Sequence, residues 1–360
     1  MSARGDGAAE RVLAALRRRG AHLVGADEPA GGGTPVLWWD NGDYPGRSRV
    51  TATFTGGERR LVLDTGTLSV DLSRITAVWR SRPSGPQAAA AVTDPSHRAH
   101  AGLQAEVMLD GVWSLLDARW LPGRRADELR AHNKVFHLAR AIELGFTVPD
   151  TTYTNDPAAL ADAYEAADGR LVAKQIASDR FQVDGVQHRA YTTVVTRRHL
   201  TSRHRVRHEP IVLQPYVPKA VELRVIVVGE RVLAAEIDAS GSRAARDDWR
   251  HYDNDRVRYA PHALPADVAR RCARLVADVG LTYAALDFIV TPGGEYVFLE
   301  LNSNGAWGFV ELWAGLPVSD AIADWLMDEL TDGRVNKLAD ERMDELTDGR
   351  VNKLADGGEQ

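Results

Sequence analysis

"YVFLELNSNG", residues 296–305, begins as a strand and ends on a carboxylate and two amides. In an unbroken strand Tyr296, Phe298, Glu300 and Asn302 share one face, apolar at its start and acidic at its end. Upstream, "YAALDFIVTPGGEYVFLELN" reads as two strands around a Pro-Gly-Gly turn. A two-residue loop at Gly293 and Gly294 sets Pro292 against Glu295, and counting back sets Asp287 against Glu300. Directly opposed side chains have Cβ atoms about 4.5–5.5 Å apart, where like charges repel. A cation is therefore expected between them.

Asp287, Glu300 and the amide oxygen of Asn302 form a hard oxygen set suited to magnesium, which takes a few carboxylates, waters and substrate phosphates. The alternative is an edge hairpin whose charges face water. Ala284, Leu286, Phe288, Val297, Leu299 and Leu301 speak against it, because they give the opposite face an apolar covering that implies at least one buried side.

The chain has 360 residues, enough for two or three domains, and its 44% hydrophobic and 26% charged residues are those of an ordinary globular protein. No apolar run approaches the roughly 20 residues that span a bilayer. "MSARGDGAAERVLAALRRRG" lacks a signal-peptide core, so a cytoplasmic protein with no membrane partner is expected. The single cysteine excludes an internal disulfide and a thiolate metal cage. Cys272 shares a helical stripe with Val268, Leu275, Val276 and Val279, which marks a buried structural thiol.

The formal charge of −6 is uneven: residues 327–360 carry ten acidic and five basic residues, which leaves the rest near −1. "RRHLTSRHRVRH", residues 197–208, holds five arginines and three histidines. It reads either as a solvated face or as a surface for an anionic partner. No aromatics are interleaved for base stacking, so an acidic peptide fits better than nucleic acid. "MDELTDGRVNKLAD" occurs at 327–340 and again at 343–356. Two copies are too few for a solenoid; a recent duplication or an artificial addition, frayed or disordered, is expected.

Residues 1–125 alternate the helix "AAERVLAALRRRG" with strand candidates "HLVGA", "PVLWW", "VTATF", "RLVLD" and "ITAVWR", an α/β pattern. "AGGG" at 30–33 is a loop without a phosphate-loop signature. A helix over Asn133–Leu144, "TTYT", a helix begun by Asp156 and Pro157, and the strand "LVAKQIA" follow. Lys174 lies within that apolar strand, where an ammonium needs an anion or a route to water, and Lys134 opens the preceding helix. In "IVLQPYVPKAVELRVIVVGERVLAAEID" a hairpin turns at Gly229 and Glu230, and Arg224 and Glu222 share one strand face.

The ordered set "NK…LARAIELGFTVPDT", "LVAKQ", "LQPYVPKAVELR", "LDFIV" and "FLELNSNG" resembles the ATP-grasp superfamily of carboxylate-amine ligases over roughly residues 120–326. "LPGRRADELRAHNK", "DWRHYD" and "LELNSNGAWGFVE" are similar to microviridin- or graspetide-type maturases of ribosomal peptides. The resemblance implies an α/β (α+β) ATP-grasp fold with the nucleotide between two antiparallel sheets. It divides the chain into a pre-ATP-grasp domain (1–125), a central subdomain (126–215), a C-terminal subdomain (216–326) and the tail (327–360). In this family a strand usually precedes the first helix, whereas here the helix comes almost at once.

The resemblance also implies roles and cofactors, ATP and Mg2+. Lys134 and Lys174 would hold phosphates, Gln214, Pro215, Tyr216 and Val217 would meet adenine through their backbone, and Glu222 would bind ribose. Asp287, Glu300 and Asn302 would hold magnesium, and Arg224 would brace the transferred phosphate and the acyl phosphate. The implied partner is a precursor peptide with a leader and an acidic, Ser/Thr-containing core, and the implied assembly a homodimer. The implied reaction joins peptide side chains through ester or amide bonds by way of acyl phosphates, which needs positioning and charge neutralisation rather than an enzyme nucleophile. A glutamate-adding amino-acid ligase and a non-catalytic nucleotide-dependent peptide binder remain as alternatives.

Overall fold

The computed structural model describes residues 1–25, 33–177, 180–189, 191–242 and 256–328. Helix α1 (Gly7–Arg18) starts at Asp6, whose carboxylate accepts from the Ala8 amide, and it buries Val12, Ala15 and Leu16. β1 (His22–Leu23) pairs in parallel with β2 (Pro35–Val36), while β3 (Arg49–Thr55), β4 (Glu58–Asp64) and β5 (Ser69–Asp71) form an antiparallel sheet. β6 (Ala77–Trp79) pairs in parallel with β7 (Arg119–Leu121), joined through α2 (Pro95–Ser114). The apolar residues of α2 spread around its axis: Leu109 and Val112 are buried whereas Leu103 and Val107 face solvent, so it shows no single stripe in sequence. Trp39, Leu61, Leu63, Trp113 and Trp120 anchor this region's core. α1 is the first regular element among the described residues. The backbone of residues 1–3 bonds to Trp39, Ser81 and Arg82.

α3 (Arg125–Ala131) and α4 (Lys134–Glu143) lead to β8 (Thr152–Thr154), α5 (Pro157–Ala166) and β9 (Leu171–Lys174). A hairpin of β10 (Arg180–Val183) and β11 (Val186–Arg189) follows, then β12 (Thr193–Val194), α6 (Arg197–Thr201) and β13 (Ile211–Pro215). The order β12-β9-β13-β8 is antiparallel throughout. The basic stretch forms α6 and a 3-10 turn over Arg203–His208; Leu200 and Val206 pack inward while its five arginines and three histidines are exposed.

β14 (Val221–Val228), β15 (Arg231–Asp238), β16 (Arg258–Pro261), β17 (Tyr283–Val290) and β18 (Tyr296–Asn302) form a second antiparallel sheet, ordered β16-β15-β14-β17-β18. α7 (Ala266–Asp278) precedes β17, and α8 (Gly308–Ala314) and α9 (Val318–Met327) follow β18. One face packs Leu223, Val225, Leu286, Phe288 and Phe298 against Leu138 of α4 and Cys272 and Leu275 of α7. Burying each such large side chain stabilises by about 1.5–3 kcal/mol. Cys272 is the structural thiol expected, and burial pushes its pKa up to about 12. The other face carries Ile226, Val228 and Ala285 onto α1, α8 and α9. Both faces of the sheet are covered, which meets the expectation of at least one buried side.

The hairpin departs from the sequence reading twice. Val290 pairs with Tyr296 and Thr291 accepts from Gly294, so the loop holds three residues, with Gly294 at φ 82° in the left-handed region. Leu299 is then an extra residue in a bulge, since Phe288 pairs with Phe298 but Asp287 with Glu300. The two shifts cancel, and the expected Asp287–Glu300 pairing is found. The bulge also breaks the expected single face: Phe298 and Leu301 enter the core, while Leu299, Glu300 and Asn302 face a cleft. Among the described residues no helix is long and apolar enough to cross a membrane.

Candidate active site

Between the four-stranded and five-stranded sheets lies a cleft of about 290 Å³. Lys134, Lys174, Gln214, Pro215, Tyr216, Val217, Glu222, Asp287, Glu300 and Asn302 all line it. Arg224 does not; it lies behind Asp287, 3.2 Å from Nη1 to Oδ1. Val172, Leu223, Ile289 and Leu299 supply apolar walls. A strand's two-residue period explains the charged rim: Glu222 and Arg224 share a face of β14, and the register sets Arg224 beside Asp287 and Asp287 beside Glu300.

The cation expected between the carboxylates is partly the protein's own. Lys134 Nζ lies 2.9 Å from Glu300 Oε2 and also donates to the Gln175 carbonyl at 3.2 Å. α4 begins with its Asn133 side chain accepting from the Phe136 amide, which places Lys134 in the first turn, over the cleft. Asn302 Nδ2 donates to Asp287 Oδ2 and to Glu300 Oε1, each at 3.2 Å. The amide thus presents its donor to two carboxylates. Turning it over brings Oδ1 to the same point, and the three groups then offer the oxygen donors magnesium takes alongside phosphates. The residues fit the ion. Among the described residues no group of three His, Cys, Asp or Glu could hold a metal unaided. The turn beyond Asn302 is tight: a Cβ on Gly305 would lie 2.4 Å from that of Ala285. Tyr283 Oη holds the Gly305 carbonyl at 2.6 Å.

At the other end Lys174 Nζ donates to Gln214 Oε1 at 2.8 Å, and Gln214 Nε2 donates to Thr151 Oγ1 at 2.9 Å. Lys219 Nζ lies 2.9 Å from Glu222 Oε2. Lys219 went unassigned in sequence although it stands three residues before Glu222, a spacing that could have marked the pair. Tyr153 packs on the neighbouring core and does not line the cleft; burial first, and Glu300 second, push its hydroxyl pKa up to about 12. His137 props β18 from beneath, its Nδ1 donating to the Ala131 carbonyl at 3.1 Å and its Nε2 accepting from the Leu301 amide at 3.4 Å. Tyr216 N donates to the Arg170 carbonyl at 2.6 Å, which anchors the chain just after β13. "DWRHYD" (248–253), residues 30–32 of "AGGG" and the tail from residue 329 lie outside the described residues.

No protein-family model matches the chain, and no curated protein matches it in sequence. Solved structures do. A Chryseobacterium gregarium RiPP-associated ATP-grasp ligase, in complex with ADP and a leader and core peptide, aligns at TM-score 0.80 and 26% identity, over 91% of this chain and 95% of that one. Macrocyclase MdnB from Microcystis aeruginosa MRC aligns at TM-score 0.70 and 29% identity, over 91% and 97%. Macrocyclase MdnC of the same strain, bound with precursor peptide MdnA, aligns at TM-score 0.76 and 23% identity, over 91% and 97%, a likeness of fold. The fold of this chain is therefore the ATP-grasp fold, in the form found in RiPP-associated ATP-grasp ligases.

Proposed function

We propose that this chain is an ATP-dependent ligase that cross-links side chains of a ribosomal precursor peptide. The observation that carries the reading is one cleft gathering Lys134, Lys174 and Lys219 with Glu222, Asp287 and Glu300, while Arg224 stands behind Asp287. Its resemblance to ligases solved with ADP, leader and core peptide supports the peptide as substrate.

Lys174 and Lys134 hold the nucleotide's phosphates, and in doing so exchange Gln214 and Glu300 for phosphate oxygens. The Gln214–Val217 segment meets the base through its backbone, and Glu222, fixed by Lys219, binds the ribose. Asp287, Glu300 and the turned-over Asn302 hold magnesium, which supplies neutralisation of phosphate charge. A peptide Asp or Glu carboxylate oxygen attacks the γ-phosphorus and the bond to ADP breaks. A Ser or Thr hydroxyl, or a Lys amine, then attacks the acyl carbon; phosphate leaves and the nucleophile gives up its proton. Arg224 braces the transferred phosphoryl group from behind Asp287. Each bond removes one water from the peptide.

The division at residues 125, 215 and 326 follows the same reading, as do an acidic Ser/Thr-containing core, a cytoplasmic setting and a homodimer, the last checked by solution mass. The experiment is mass spectrometry of the cognate precursor incubated with the enzyme, ATP and magnesium. Loss of one water per bond is expected. Growth of the product by free amino acids would replace the reading with an amino-acid ligase, and nucleotide binding with no product would replace it with a peptide binder.

A further inference from the structure

The turn that follows β18 is held from two sides. Asn302 to Gly305 close it, the Gly305 amide donating to the Asn302 carbonyl at 3.2 Å. On one side Tyr283 and Ala285 of β17 fix Gly305, by the hydroxyl bond and by the close approach already described. From the other side the N-terminal region reaches in. Asn304 Nδ2 donates to the Arg80 carbonyl at 3.2 Å and also to the Ser81 carbonyl. Both acceptors lie just beyond β6, on backbone that is itself tied down. The Arg80 amide donates to the Leu121 carbonyl at 2.7 Å, the Ser81 amide to the Met1 carbonyl at 3.0 Å, and the Ser81 hydroxyl to Asp6 at 3.0 Å. The Arg80 guanidinium grips the Glu128 carboxylate of α3 through Nε at 3.0 Å and through Nη2. Glu128 is only 4% exposed, and a carboxylate so buried keeps its charge only beside such a partner, so Arg80 has little freedom.

Asn304, Arg80 and Glu128 do not line the cleft, whereas Asn302, two residues before Asn304, does. Its amide points Nδ2 at Asp287 and Glu300 and must turn over to offer Oδ1 to magnesium. An amide that turns about its own bonds delivers its oxygen to the same point only if the backbone carrying it stays in place. We infer that Asn304 is a positioning residue for the metal site, tying the turn after β18 to the N-terminal region and so holding the Asn302 backbone still. The inference rests on the metal site of the function proposed above and adds to it a support outside the cleft, supplied by a different part of the chain.

The test uses the full-length enzyme with bound ADP and with Mn2+ in place of magnesium, bound and free metal being told apart by electron paramagnetic resonance. Asn304→Ala should weaken Mn2+ binding about tenfold, as loss of a group that orients a metal ligand does. ADP affinity without metal should stay unchanged. Asn304→Asp keeps the shape but sets a carboxylate against two carbonyls, and should weaken Mn2+ binding further; Asn304→Gln keeps a donor and should recover part of the loss. Tyr283→Phe keeps the buried ring, releases the Gly305 carbonyl and should act in the same direction, and it serves if Asn304→Ala fails to fold. An Asn304 that only stabilises the fold would lower the melting temperature and leave the Mn2+ affinity of the folded enzyme alone. Mn2+ binding within about twofold of wild type in Asn304→Ala and in Tyr283→Phe would therefore overturn the inference while leaving the metal site intact. Wild-type enzyme that binds ADP but takes up no Mn2+ would overturn the metal site itself, and the role of Asn304 with it.

Discussion

Two cavities in this chain differ in almost every respect. The cleft between the sheets encloses about 290 Å³ and brings three lysines and three carboxylates to one space. The hollow in the N-terminal region encloses about 610 Å³ and is walled largely by apolar groups such as Leu13, Leu63, Trp38, Trp39, Trp79 and Trp113. The larger space is the poorer candidate for chemistry. Wide tryptophan rings packed on short strands leave volume without converging polar groups, whereas half-buried charges tolerate their desolvation only with partners, and a nucleotide with its metal is such a partner. Convergence of charge, more than volume, marks the site.

The contrast can be broken most forcefully in the hollow. Trp39→Ala removes a side chain only 4% exposed, stacked edge-on to Trp113 at 5.5 Å and bonded to Ser48. It should cost about 3–5 kcal/mol of stability in a denaturant titration, with the nucleotide affinity of the folded fraction unchanged. A large loss of affinity would mean the hollow serves the cleft.

Lys174→Ala should give the opposite pattern. A hydrogen bond to a charged group is worth about 1.5–3 kcal/mol, so calorimetry should show nucleotide binding weakened by about ten- to a hundredfold, with little change in the melting temperature. Unchanged affinity in a folded variant would remove Lys174 from the site.

The smallest effect concerns acid. Burial holds the His137 pKa below its usual 6.5, and the neutral ring both donates and accepts. The unfolded chain therefore takes up this proton first, so the contribution of His137 is fully present above pH 6.5 and is lost as pH falls toward its folded pKa, with a slope no steeper than about 1.4 kcal/mol per pH unit. Melting curves should fall below pH 6.5, and His137→Gln should flatten that fall. An equal slope in the variant would assign the acid sensitivity to other groups.

Much of the fold was legible where local chemistry and global packing agree. Asn133, Asp156 and the Gly229–Glu230 turn marked their element boundaries because capping and turn preferences act over a few residues. The Asp287–Glu300 pairing was reached by a count that omitted both a third loop residue and the Leu299 bulge. A bulge leaves no local signature in a run such as "VFLEL", since either face of β18 is covered and alternation carries little information there. The ion pairs of Glu300 with Lys134 and of Asp287 with Arg224 depend on how α4 and β14 pack, which sequence spacing does not encode.

The central claim is that Asp287 and Glu300 face each other to hold a metal and phosphates rather than to hold the fold together. Glu300→Gln tests it most directly, since the amide keeps the shape and removes one ligand charge. With precursor, ATP and magnesium, mass spectrometry should show dehydration slowed by at least about a hundredfold. The metal-free variant should melt within about 2 °C of wild type, since the Lys134–Glu300 pair it breaks is partly exposed. Dehydration at the wild-type rate would contradict the metal site, and a melting point far below wild type would make Glu300 a structural residue.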